Sequence, residues 1–202
     1  MPLVKRPASD TSPSAPDRAQ LATKLLDGTD QERWDAARDA LEHPDGLSLL
    51  GRALASERVP RVREAIFTAL AKIDTPDAAS VVLPYLRSDD AAQRTAALDA
   101  LKAMPSAAGT HLPALLSDGD QDVRLLACEI ARRLPADESA RVLVELIERE
   151  DQANVCAAAI EVLAETGGPS SLPALARCGA RFPDDPFLAF AVKAAADRIG
   201  AR

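Results

Sequence analysis

Small and aliphatic residues recur along this chain at a helical spacing, and the recurrence itself repeats. "SERVPRVREAIFTALAKID" begins at Ser56, "SDDAAQRTAALDALKAMP" at Ser88, "SDGDQDVRLLACEIARRLP" at Ser117 and "REDQANVCAAAIEVLAETG" at Arg149. Each copy opens on a polar, acidic lead-in and runs into a stripe of small residues that closes on an aliphatic one. Taking that aliphatic as a register mark selects Leu41, Leu70, Leu101, Ala131, Leu163 and Ala195, in steps of 29, 31, 30, 32 and 32 residues. Val62-Arg63, Gln93-Arg94, Val123-Arg124 and Val155-Cys156 then coincide, and so do Ile66, Ala97, Ala127 and Ala159. The 3.6-residue period predicts a helix in every copy, with small residues where neighbours press together. A fixed period of this size predicts a stack of similar units, because one such unit cannot bury its own apolar face.

Between copies the pattern breaks and restarts. "HPDG" at 43–46, "DTPD" at 74–77, "MPSAAG" at 104–109, "LPADE" at 134–138 and "TGGPS" at 166–170 carry the Pro, Gly and Asp that end one helix and start the next. A second helix follows each break, so the unit is a helix pair: an A helix, then a B helix. Three of the B segments contain Leu-Pro-x-Leu, at Leu83–Leu86, Leu112–Leu115 and Leu172–Leu175. Proline inside a helix removes a hydrogen bond and clashes with the preceding turn, whereas in the first turn it costs little. These B helices are therefore expected either to start late or to bend at the proline. The expectation is an all-α solenoid of stacked helix pairs in a right-handed superhelix, about six pairs over 19–202, preceded by a disordered lead over 1–18.

Composition narrows the function. The chain has 202 residues and a net charge of −7, with 47% hydrophobic but only 3% aromatic residues, so Ala, Leu and Val must fill the core. Over the first 17 residues Lys5, Arg6, Asp10 and Asp17 cancel, which leaves the excess acid on the folded part. An acidic body disfavours nucleic acid, whose affinity comes largely from neutralising phosphates. No apolar run reaches the length of a bilayer span, and the N-terminus lacks the apolar stretch of a secretory signal. The expectation is a cytoplasmic protein off the membrane, a monomer or weak oligomer. The three cysteines, Cys128, Cys156 and Cys178, are widely spaced and read as buried thiols.

The two-helix unit of about 31 residues, the lead-in "DQDVR" at 120–124 and the Ala-rich A helices resemble the HEAT-repeat family, in particular the short bacterial class called PBS-lyase HEAT-like repeats. The resemblance covers about 19–199. It implies that the Asp and Arg of the lead-in link neighbouring repeats, a structural ladder to which Asp120, Arg124, Arg94 and Arg63 correspond. Cys156 stands where the fifth repeat would carry Arg, so the ladder is expected to stop there. Trp34 stands at the Arg position of the first repeat, as a capping repeat would allow. Tetratricopeptide repeats have a longer period and Tyr/Phe positions that are missing here.

Motifs for chemistry are poor. "DGDQD" at 118–122 with Glu129 mimics a calcium loop, but Val123 occupies the position where the turn needs Gly. The Asp residues are better explained as helix caps and first-turn acids. His43 and His111 are the only histidines, and neither precedes Glu, whereas iron-dependent HEAT hydroxylases hold two metals with His-Glu pairs. "TGGPS" lacks the Lys of a phosphate loop. No cofactor and no catalytic residue is assigned, and the reading is a non-catalytic scaffold for a protein or peptide partner. The alternative, implied by the resemblance alone, is an accessory subunit of a bilin-lyase-type system for chromophore attachment.

Two surfaces are candidates for the partner. Acids fill the lead-ins (Asp30, Glu57, Asp89, Asp90, Asp118, Asp120, Asp122, Glu150 and Asp151), which stacking would gather into a ridge. The resemblance puts the B helices on a concave wall. Aligning Leu83, Leu112, Leu143 and Leu172 places Tyr85, Ala114, Glu145 and Ala174 in one row, with Val81, Thr110, Arg141 and Ser170 in another and Arg52 extending it. Tyr85, with Arg52, Arg141 and Glu145, is the predicted partner-binding set.

Overall fold

In the computed structural model, residues 15–201 are described, and among them every regular element is helical. The chain divides into two compact units, Met1–Ile73 and Asp74–Arg202. The lead expected over 1–18 falls mostly outside the described residues, and the first helix opens at Ala15.

The first unit holds α1 (Ala15–Asp27), α2 (Asp30–Asp39), α3 (Gly46–Ser56) and α4 (Pro60–Ile73), with a 3-10 turn at Ala40–Glu42 after α2. Thr29 and Glu32 form a reciprocal cap on α2: the Glu32 amide donates to the Thr29 hydroxyl, and the Thr29 amide donates to the Glu32 carboxylate at 2.8 Å. α2 packs on α1 and α4, and α3 on α4. The register mark slips here. Ala40 is fully buried while Leu41 is only half-buried, because the chain tightens into the 3-10 turn one residue early.

The start of α3 lies so close to that turn that only glycine fits there. A Cβ on Gly46 would lie 1.8 Å from the Ala40 carbonyl oxygen. Gly46→Ala is therefore expected to destabilise the first unit by about 1–3 kcal/mol, the range for overpacking against a backbone that must move. Chemical denaturation measures this, and an unchanged midpoint would contradict the close approach.

The second unit holds α5 (Pro76–Val82), α6 (Ala91–Ala103), α7 (Pro105–Gly109), α8 (Leu112–Leu115), α9 (Gln121–Ala131), α10 (Ala136–Arg149), α11 (Ala153–Thr166), α12 (Leu172–Arg181) and α13 (Pro186–Gly200). Its A helices follow one another through space: α6 packs on α9, α9 on α11, and α11 on α13. Leu101, Ala131, Leu163 and Ala195 are all buried at the expected register. Thirteen α-helical segments are described, one more than six pairs would supply, partly because one B helix is split.

The prolines resolve the B helices in both expected ways. Pro84 turns the end of α5 into a 3-10 segment, Leu83–Arg87, and the third repeat breaks between α7 and α8 ahead of Pro113. In the fifth repeat a 3-10 turn, Pro169–Ser171, comes first and Pro173 sits in the opening turn of α12. The fourth repeat has no such proline, and α10 runs unbroken for 14 residues. Lead-in acids cap the A helices as expected: Asp90 accepts from the Ala92 amide and Asp120 from the Asp122 amide, each at 2.9 Å. Asp74, following α4, adopts φ 48°, a left-handed conformation that Asp tolerates better than most residues.

Candidate functional site

Of the register arginines, Arg124 spans from one helix pair to the next and Arg94 holds its own lead-in backbone. Arg124 on α9 grips Glu150 with both prongs: Nε donates to Oε2 at 2.7 Å and Nη2 to Oε1 at 2.9 Å. Its Nη1 donates to the Asp118 carbonyl at 2.8 Å. The two side chains are 13% and 3% exposed. Burial pushes the Glu150 carboxyl up, but Arg124 and the amides of Gln152 and Asp151 outweigh it and hold the group below the usual carboxylate range.

The first unit repeats this geometry with a residue the register missed. Arg33 donates through Nε to Glu57 at 2.8 Å and through Nη1 to the Gly28 carbonyl at 2.8 Å. Arg33, not Trp34, is thus the ladder arginine of the first repeat, as the one-residue slip at Ala40 requires. Glu57 also takes the amides of Arg58 and Val59, each at 2.8 Å. Arg94 donates to the Ser88 carbonyl, and Arg63 is half-buried at the same position of α4. Asp120 acts locally, as the cap of α9. The carboxylate that spans to Arg124 is Glu150, six residues ahead of Cys156 as Asp118 is ahead of Arg124.

At Cys156, where the ladder was expected to stop, another helix supplies the guanidinium. Arg181 at the end of α12 donates to the Glu150 carbonyl at 2.9 Å, as Arg124 does to that of Asp118. The Cys156 thiol also points at that carbonyl, at 3.7 Å. All three cysteines are buried; burial first, then the nearby carboxylates, push the Cys128 thiol up to about 12, and hydrogen bonding to Cys178 with burial raises Cys156 too. Both shifts favour the protonated thiol at neutral pH.

The other motif residues contact backbone too, although the buried Nε2 of His43 has no hydrogen-bond partner among the described residues. His43 Nδ1 accepts the Asp45 amide at 3.1 Å, and His111 Nε2 lies 3.0 Å from the Pro76 carbonyl. Asp118 pairs with Arg87 and accepts the Asp120 amide at 3.0 Å. The acidic lead-ins are therefore partly neutralised: Glu57, Asp118 and Glu150 each hold an arginine.

The predicted partner-binding set falls on three helical segments. Tyr85 is half-buried in the 3-10 segment after α5, and Arg141 and Glu145 on α10 pair with each other at 3.0 Å, about 60% exposed. Arg52 is exposed on α3 and belongs to the first unit. The row itself is broken: Ala114 and Glu145 are exposed, but Ala174 is buried. The turn at Pro169–Ser171 shifts the helical phase of α12, so a leucine-based alignment fails there.

Two surfaces went unforeseen. On α13, Phe187 and Phe190 are 84% and 72% exposed, while Leu188, Ala195 and Ile199 face the core. Between α2 and α4, Trp34 lies under the guanidinium groups of Arg38 and Arg61 beside a cavity of about 310 Å³. The phenylalanines were legible as an i, i+3 pair; the cavity depends on how two helices dock.

The stacked pairs and their buried arginine junctions agree with the profile of the family described as HEAT repeats, which matches residues 19–102 and 110–196. The chain belongs to the HEAT-repeat family. Several solved structures resemble it distantly. An engineered protein is 20% identical over 92% of this chain and 99% of its own, with a TM-score of 0.42. Human deoxyhypusine hydroxylase in complex with glycerol is 15% identical over 91% and 84%, with a TM-score of 0.44. The CpcE–CpcF complex of phycocyanin lyase from Nostoc sp. PCC7120 is 14% identical over 98% and 100%, with a TM-score of 0.40. No curated protein matches. No described helix of this HEAT-repeat chain is long and apolar enough to cross a membrane.

Proposed function

We propose that this chain is a non-catalytic scaffold that holds a protein or peptide partner. The observation that carries the reading is the pair Phe187 and Phe190, two large aromatic side chains left in the open on α13. Water penalises such surface, and aromatic residues clustered on one helix face are a common basis for docking. The remaining chemistry supports the same reading. The ladder arginines and lead-in acids hold helix pairs together, and the cysteines and histidines serve the packing. The set of Tyr85, Arg52, Arg141 and Glu145 is the second place to look for the partner.

Photo-crosslinking in the native cell tests the proposal. Benzoylphenylalanine introduced singly at Phe187, Phe190, Tyr85 and Arg141 is expected to capture one common protein from the α13 positions. Capture of the same protein from position 85 would extend the contact to the B helices. No specific adduct from any of the four positions would sink the scaffold reading. The double substitution Phe187→Ser with Phe190→Ser should weaken the captured partner at least tenfold. The melting temperature should hardly move, because such exposed positions rarely contribute more than about 0.5 kcal/mol to stability.

A further inference from the structure

The cavity beside Trp34 has a character opposite to that of the chain around it. Its walls carry Arg38 from α2 and Arg61, Glu64, Thr68 and Lys72 from α4. Three cations face one carboxylate on a chain whose net charge is −7. Arg61, Glu64, Thr68 and Lys72 form one stripe along α4, at i, i+3, i+7 and i+11. We infer that this groove in the first unit binds an acidic peptide segment of a partner protein. The inference takes its class of ligand from the scaffold reading, but concerns a different surface.

Three observations argue for that ligand. Trp34 is half-buried, and the guanidinium carbons of Arg38 and Arg61 lie 4.8 and 5.5 Å from its ring centroid. The ring thereby holds both cations at the groove mouth and restricts their rotamers, so that less freedom is lost when an anion arrives. Arg61 is further held by Gln31, to whose side-chain carbonyl it donates. Second, two guanidinium groups already pack against the ring, so a nucleobase would have to compete with them for it, which favours carboxylates over a nucleotide. Third, Arg61 and Lys72 stand eleven residues apart on one helix, a span of about 16 Å. An extended peptide covers that distance in about five residues. The ligand that fits has carboxylates about five residues apart, with uncharged residues between them passing Thr68 and Ala65.

Trp34 is the only tryptophan in the chain, so its fluorescence reports on the groove directly. The full chain is titrated with the blocked peptide Asp-Ala-Leu-Ala-Ala-Glu and with its Asn/Gln counterpart. The acidic peptide is expected to give a saturable change and the amide peptide none. Raising sodium chloride from about 50 to about 300 mM should weaken binding severalfold, as screening requires. Arg61→Glu with Lys72→Glu should weaken it at least tenfold. Lys193→Glu, on α13, should leave it intact. Circular dichroism establishes that each variant folds, and Lys72→Glu alone serves if the double variant does not. Equal response to both peptides, undiminished binding by the folded charge variants, or a response to adenosine diphosphate but not to the peptide would each overturn the inference. Failure here leaves any crosslinks from Phe190 standing, so the scaffold reading is judged separately.

Discussion

Replacing Glu150 with Ala is expected to destabilise the second unit by about 3–5 kcal/mol, the cost of stranding one partner of a buried ion pair. Glu150 is 3% exposed, and its two oxygens accept both prongs of Arg124 together with the amides of Asp151 and Gln152. Truncation leaves the guanidinium buried with only the Asp118 and Gly119 carbonyls, and frees two backbone amides. Glu150→Gln keeps those amides satisfied and should cost less. The double variant Arg124→Ala with Glu150→Ala should be less unstable than the two single effects added, because the second change removes the stranded charge. A cost below about 1 kcal/mol in urea denaturation would place the pair among surface bridges that contribute little.

The pH dependence follows from the same contacts. The folded-state pKa of Glu150 is depressed, so its contribution to stability is present above the unfolded value of about 4.3 and is lost as pH falls through the folded one. The gap between wild type and Glu150→Ala should therefore be widest near neutral pH and close in acid. Glu57 in the first unit is likewise held low: burial raises it, while Arg33 and the amides of Val59 and Arg58 outweigh that effect. Glu57→Ala should show the same pH profile in the first unit, where Arg33 keeps only Asp30 and the Gly28 carbonyl.

The helices were legible in the sequence because their determinants are local. Period, lead-in acids and break residues act within a few positions, and Asp90 and Asp120 cap the helices that the pattern predicts. The same locality explains the errors. A one-residue tightening after Asp39 moved the first register from Leu41 to Ala40, and with it the ladder arginine from Trp34 to Arg33. Glu150 was readable as an acid but not as the partner of Arg124, since 26 residues separate them and only the docking of α9, α10 and α11 joins them. Arg181 restores the missing guanidinium from a different helix, which no alignment of A helices reveals. The Trp34 groove needs α2 docked on α4, so the charged stripe of α4 alone does not reveal it. Conversely, the concave row failed at Ala174 because a 3-10 turn ahead of α12 altered the phase that the leucines implied.

Leu101→Asp is expected to cost more than about 4 kcal/mol, and its spatial pattern is as informative as its size. Leu101 is fully buried on α6, with α7, α9 and the 3-10 segment 83–87 packed around that helix. An aspartate there is shut off from water, so it must either stay charged in an apolar core or take up a proton. Each helix pair in a repeat stack is stabilised mainly by its immediate neighbours. Loss of α6 should therefore propagate outward: hydrogen exchange is expected to accelerate first in α6, α7 and α9, and later in α11 and α13. In the first unit, α2 and α4 should keep their protection, because their own core of Leu50, Leu54, Ile66 and Leu70 is untouched. Leu101→Ala, which leaves a cavity but no buried charge, should produce the same order of loss at about 2–5 kcal/mol. Uniform loss of protection across both units would mean that the chain unfolds as one cooperative block, and the nearest-neighbour account of its stability would then fail.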